Sequence, residues 1–145
     1  MVSTSTGTLP AILVINPGST STKLAVYDGL TERFVETLRY SAETLARFTT
    51  VHEQLPLRLA DVRRLLNERS VKPESLDFIM ARGGAVRPVH GGPWMITEAM
   101  LQDLRDAKYI DHASSLGALI AHELICRDGI GGNVNTAEKP TRPRP

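Results

Sequence analysis

At 145 residues, with 41% apolar and 23% charged side chains and a net charge of +1, the chain has the size and balance of one soluble globular domain. So small a net charge argues against nucleic acid, or any other partner held by charge alone. One cysteine, Cys126, excludes an internal disulfide, no Cys/His cluster suggests zinc, and no apolar run approaches the roughly 20 residues that cross a bilayer. The expected setting is the cytoplasm.

Residues 1–10 are rich in Ser, Thr and Gly and read as a flexible leader. Ala11 to Ile15 is nearly all apolar and predicts a strand buried on both faces. Asn16-Pro17-Gly18 follows and predicts a tight turn, with proline presetting φ and Gly18 accepting a positive φ. A second strand, about Thr22 to Tyr27, closes at Asp28-Gly29, and a third run covers Arg33 to Tyr40. Ser41 to Thr50 has no clear period and reads as loop or short helix.

From about Leu55 the period becomes helical, with Leu55, Leu59, Val62 and Leu66 at spacings of four, three and four. Arg58, Asp61, Arg63, Arg64 and Glu68 are read as its solvated face. Pro56 fits only a first turn, so the helix starts near it. Ser70-Val71-Lys72-Pro73 ends it, and Leu76 to Ala81 is a short apolar strand. Strand, helix, strand in that order predicts a parallel crossover and hence an α/β domain with an antiparallel edge.

Ala81-Arg82-Gly83-Gly84 and His90-Gly91-Gly92-Pro93 then make a glycine-rich loop where open α/β sheets build their sites. Thr97 caps a helix with Met100, Leu101 and Leu104 on its apolar side. Asp111-His112-Ala113-Ser114 opens another, apolar nearly all round, that runs to about Arg127 and stops at Asp128-Gly129. Cys126 lies in that run and reads as a small core residue. Residues 131–145 hold almost nothing apolar and read as a disordered tail.

Four small hydroxyl residues, Ser19 to Thr22, and a lysine follow Asn16-Pro17-Gly18. A hairpin tip lined with hydroxyls and N–H groups suits a phosphate, whose oxygens each need a donor. The plain alternative is a Ser/Thr-rich hairpin, because these residues favour turns for local reasons. It is not a Gly-rich strand-to-helix phosphate loop, because no second glycine, Gly-Lys pair or helix follows.

Asn16-Pro17-Gly18-Ser19-Thr20-Ser21-Thr22-Lys23 resembles the first phosphate signature of the acetate and butyrate kinases. The proline after the asparagine and the stretch His112-Ala113-Ser114-Ser115-Leu116-Gly117-Ala118-Leu119-Ile120-Ala121 resemble the butyrate-kinase branch. The likeness runs in order from about Ala11 to Ile130. It implies an actin-like, sugar-kinase-type (ribonuclease H-like) lobe with a mixed sheet, three antiparallel strands and then α-β-α. It also implies ATP and Mg²⁺ as cofactors and a short-chain carboxylate as substrate, converted to an acyl phosphate. The family's last strand and second lobe, with its adenosine pocket and metal-binding acid, find no counterpart after Ile130, so a truncated or frame-shifted member is expected.

Making an acyl phosphate requires the carboxylate held in line with the γ-phosphate and the charge on the transferred group neutralised. Arginine forks match both kinds of oxygen. Arg82, after a strand and before two glycines, is the candidate, and the resemblance implies an active-site arginine there; the alternative is a surface-paired arginine. Arg87 reads as solvated. Asn16, Ser19 and Ser21 match family positions near the transferred phosphate, and Lys23 matches too but lies along the second strand. Thr20 and Thr22 serve the turn. His112 corresponds to an active-site histidine, with capping of the backbone as the alternative; His90 resembles the acetate-kinase branch and ranks below it. His52 and His122 read as surface residues, and no metal ligand is assigned.

Half a cleft predicts little or no kinase activity from the chain alone. A different class of function is a non-catalytic remnant or interaction module that exposes an unpaired face and forms a homodimer or aggregates. A third is an actin-like binding domain for some other phosphorylated ligand.

Overall fold

The computed structural model describes residues 7–130. Of the two expected flexible ends, residues 1–6 and 131–145 lie outside the described residues; Gly7 to Pro10 carry no regular element. Four strands, β1 (Ala11–Pro17), β2 (Ser21–Asp28), β3 (Thr31–Arg39) and β4 (Phe78–Ala81), form one mixed sheet in the order β3–β2–β1–β4. The first three meander antiparallel, and β4 returns parallel to β1. That return needs a crossover, supplied by α1 (Ala42–Leu45) and α2 (Leu55–Glu68). Then come α3 (Glu98–Arg105) and α4 (Leu116–Asp128), so the chain is α/β as expected.

The sheet has one dry face. Leu13, Ile15, Leu24 and Val26 are almost wholly buried there against Val62 and Leu66 of α2 and Leu116, Ile120 and Leu124 of α4. The other face of β1 is only half covered, because residues at even positions alternate outward. Burial of this strand on both faces is therefore corrected. Its apolar residues at even positions, Ile12 and Val14, are half-exposed, and next to them on β4 Phe78 and Met80 are 53% and 55% exposed.

The helices follow their sequence signals closely. Thr97 caps α3 by accepting from the Met100 N–H at 3.3 Å. A 3-10 turn, Ala113–Ser115, leads into α4, whose residues from Leu116 to Ala121 are all buried; its last turn emerges into solvent. Cys126 sits in that emerging turn and is exposed, which corrects its reading as a core residue. On the outer side of α2, Arg64 bridges Asp61 and Glu68 as a solvated ladder, and Arg63 reaches Asp128 of α4 at 2.8 Å.

Candidate functional site

Strand β1 does not stop at Ile15; it continues through Asn16 and Pro17, and the bend comes later, at Gly18 to Thr20. Gly18 is not in the left-handed region, so the expected positive φ is corrected. The bend closes because the Gly18 N–H donates to the Ser21 carbonyl at 2.7 Å.

Pro17 decides where β4 leaves the sheet. The Arg82 N–H donates to the Ile15 carbonyl at 2.9 Å, continuing the parallel ladder one step beyond Ala81. The next bond would run from residue 17 to the Arg82 carbonyl, and proline has no N–H to give. The strand ends there. The freed carbonyl meets the first turn of α4 at Gly117, where a Cβ would lie 2.8 Å from the Arg82 oxygen and 3.3 Å from Pro17 Cδ. Gly84 is pressed equally hard: its Cβ would sit 2.6 Å from Ser115 Cα. Two glycines thus bring the end of β1, the start of the glycine loop and the head of α4 into backbone contact.

Register sets which candidate residues share a face. Asn16 pairs with Lys23 across β1 and β2, and Arg82 occupies the next position after the Ile15–Ala81 pair, beside Asn16. Lys23, Asn16 and Arg82 therefore form a polar row across three neighbouring strands, at the carboxyl ends of β1 and β4, on the less covered face. Lys23 and Arg82 are exposed and Asn16 is half-buried. Ser19 and Thr20 are exposed on the bend and Ser21 is half-buried at its foot.

His112 is exposed and caps the 3-10 turn ahead of α4. Its Nδ1 accepts from the Ser114 N–H at 3.2 Å and lies 3.0 Å from Ser114 Oγ. The backbone-capping role is thus the one observed, and in the neutral ring it leaves the proton on Nε2. His90 is exposed in the glycine loop, and its carbonyl accepts from Trp94 Nε1 at 2.7 Å. Arg87 is not merely solvated, since it grips the buried Asp103 of α3 with Nε and a terminal nitrogen, both at 2.8 Å, and with its backbone N–H. That bidentate hydrogen bonding holds the Asp103 carboxyl at a pKa of about 2, below its usual 3.8. Behind this loop is a largely apolar cavity of about 530 Å³ lined by Ile79, Gly84, Val86, Ile96, Leu104 and Ala118 among others.

The largest correction concerns Arg58, which is not on the solvated face of α2 but fully buried. It donates to the carbonyls of Gly18 (2.8 Å), Ser19 (3.2 Å) and Ser21 (2.9 Å) and to Thr22 Oγ1 (3.1 Å). Gln54 Oε1 accepts from its Nε and Nη2, and the Tyr40 ring lies 4.7 Å from the guanidinium carbon. Burial pushes the Arg58 pKa down and the Tyr40 pKa up. Sequence reasoning missed it by residue type. Arg58 is four residues before Val62 and seven before Leu65, which is the apolar stripe of the helix.

No family model matches the chain. It is 48% identical over 113 residues to a protein of Listeria monocytogenes serotype 4b named probable butyrate kinase, a match covering 78% of this chain and 32% of that protein. A probable butyrate kinase of Listeria innocua is 47% identical over 119 residues, 82% of the chain and 34% of the relative. One of Clostridium botulinum is 40% identical over 113 residues, 78% and 32%. The chain is a homologue of the butyrate kinases. It spans about a third of the length of the curated relatives it matches.

Among the described residues no three His, Cys, Asp or Glu side chains converge as metal ligands. No residue here is assigned to Mg²⁺. The bend offers donors instead. The backbone N–H groups of Ser19 and Thr20 have no acceptor among the described residues, and residues 19–21 all carry hydroxyls. None of the described helices is long and apolar enough to cross a membrane.

Proposed function

We propose that the chain is the phosphate- and carboxylate-binding part of an ATP-dependent carboxylate kinase of the butyrate-kinase type, built on an actin-like lobe and working in the cytoplasm. The observation that carries this is the row Lys23–Asn16–Arg82 beside a bend with free donors, at the carboxyl ends of two parallel strands. In the reaction a carboxylate oxygen attacks the γ-phosphorus, the bond from that phosphorus to the β–γ bridging oxygen breaks, and ADP leaves with its electron pair. Ser19, Ser21 and the bend's N–H groups would hold the γ-phosphoryl oxygens. Lys23 and Asn16 would flank them, Arg82 would clamp the carboxylate, and His112 would offer its Nε2–H to the transferred group. The apolar cavity behind Gly84 suits a short alkyl tail. Mg²⁺, when bound with ATP, neutralises phosphate charge.

The test is amide NMR on the intact chain titrated with ATP and with butyrate, alongside an acyl-hydroxamate assay with ATP, Mg²⁺ and hydroxylamine. Shifts at residues 16–21 with ATP and at 82–86 with butyrate are expected, with hydroxamate near background for the chain alone. Silence at both segments would overturn the reading.

The homodimer or interaction-module reading rests on one observation, the exposed Phe78 and Met80 on β4, an edge strand of the sheet among the described residues. It predicts a size-exclusion volume that falls as protein concentration rises.

A further inference from the structure

A fully buried guanidinium ordinarily has a carboxylate partner, because isolating a charge from water is costly. Among the described residues Arg58 has none. Its hydrogen-bond acceptors are three carbonyls, an amide and a hydroxyl, all neutral, with an aromatic face alongside. It lies directly behind the bend read above as a phosphate seat.

The bonds it makes are selective. A peptide group joins the carbonyl of one residue to the N–H of the next, and in the trans form the two point in opposite directions. No peptide in the described chain is cis. Arg58 draws the Gly18 and Ser19 carbonyls inward, so the N–H groups turned the other way are those of Ser19 and Thr20. Neither of those finds an acceptor among the described residues. A third inward bond, from the Tyr40 N–H to the Thr20 carbonyl at 2.9 Å, completes the row. Hydrogen bonding by a cation also polarises each amide, making its N–H a stronger donor.

We infer that Arg58 is a positioning residue for anion binding at the bend. From the buried side it aims and polarises the Ser19 and Thr20 N–H groups, and the bound phosphate supplies the counter-charge that the protein withholds. This rests on the reading of the bend as a phosphate seat. Arg58 touches no substrate atom; it acts through two peptide groups.

The experiment is a titration of the ¹⁵N-labelled full chain with inorganic phosphate, in wild type, Arg58→Lys and Arg58→Gln. The folded fraction is checked by circular dichroism and spectral dispersion. In wild type the Ser19 and Thr20 amides should shift downfield along one isotherm. Arg58→Lys keeps the charge but not the fork, and should bind phosphate at least about tenfold more weakly, the scale of one charge-assisted hydrogen bond. Arg58→Gln should bind more weakly still. A folded Arg58→Lys that binds as wild type does overturns the inference and leaves the phosphate seat standing. Wild-type amides that ignore phosphate remove the seat and this inference together. Should neither variant fold, wild type alone decides: Arg58 Nε–H should shift on the same isotherm as the two amides, and a silent Arg58 overturns the proposal.

Discussion

The two segments that meet at the head of α4 are held in opposite ways. The bend at residues 18–21 is short, and every carbonyl in it is taken from inside, by Arg58, Tyr40 or its own Gly18 N–H. The loop at residues 83–97 is long and rich in glycine. Its main fastenings are the close seat of Gly84 on Ser115 and the pair of Arg87 with Asp103, half of which faces solvent. A rigid seat suits a ligand group that is always the same, such as a phosphate. A loosely pinned wall suits a pocket that must open for its ligand. The difference follows from where each anchor sits: buried cation and neutral dipoles for one, surface-facing ion pair for the other.

Removing the rigid anchor should do the most damage. Arg58→Ala leaves the Gly18 and Ser19 carbonyls without a donor and takes one of two partners from the Ser21 carbonyl and the Thr22 hydroxyl, and a loss of about 3 kcal/mol or more is expected, measured by urea unfolding. If Arg58→Ala costs less than about 1 kcal/mol, water reaches the bend from behind and the contrast fails.

The shared joint comes next. A methyl at residue 117 must push against the Arg82 carbonyl, which is backbone and cannot swing aside. Gly117→Ala should therefore cost about 1–3 kcal/mol despite the higher helix propensity of alanine. Amide shifts should appear at Arg82 and Gly83 as well as in α4.

The smallest effect belongs to the loop. Because the folded Asp103 pKa is depressed to about 2 from 3.8, the stability it contributes is fully present above about pH 4 and fades as pH falls toward 2. Urea midpoints measured across that window should decline in wild type more than in Asp103→Asn. At pH 7 the variant should already show faster hydrogen exchange at residues 85–89 while the 18–21 bend is unchanged. Equal slackening of both segments would mean that they are one unit.

Much of this fold was legible in the sequence because its signals are local. The period through Leu55, Leu59, Val62 and Leu66 describes α2, and Thr97 marks the start of α3. The Asp28-Gly29 pair marks the β2–β3 hairpin. The candidate residues Asn16, Lys23 and Arg82 were also visible, as a signature and as an arginine after a strand. Their common face was not, because Arg82 joins it only through pairing between residues 66 positions apart. Arg58 escaped for a similar reason. An arginine on an apolar stripe is read as snorkelling outward until the inward carbonyls of another element are known. Asp103 and Arg87, each ordinary in the sequence, gain meaning only from each other.

The parallel pairing of β1 with β4 has one more effect, on how such a site tolerates mutation. The segments that flank the row are spaced by main-chain bonds between adjacent strands, roughly 4.8 Å apart whatever side chains they carry. Valine can become isoleucine in β1, or isoleucine valine in β4, and the core can be refilled, with no change in how far Arg82 stands from Asn16. Divergence in the interior and constancy at the rim are then compatible in one lineage, since the ruler between them is written in main-chain atoms that every residue but proline shares.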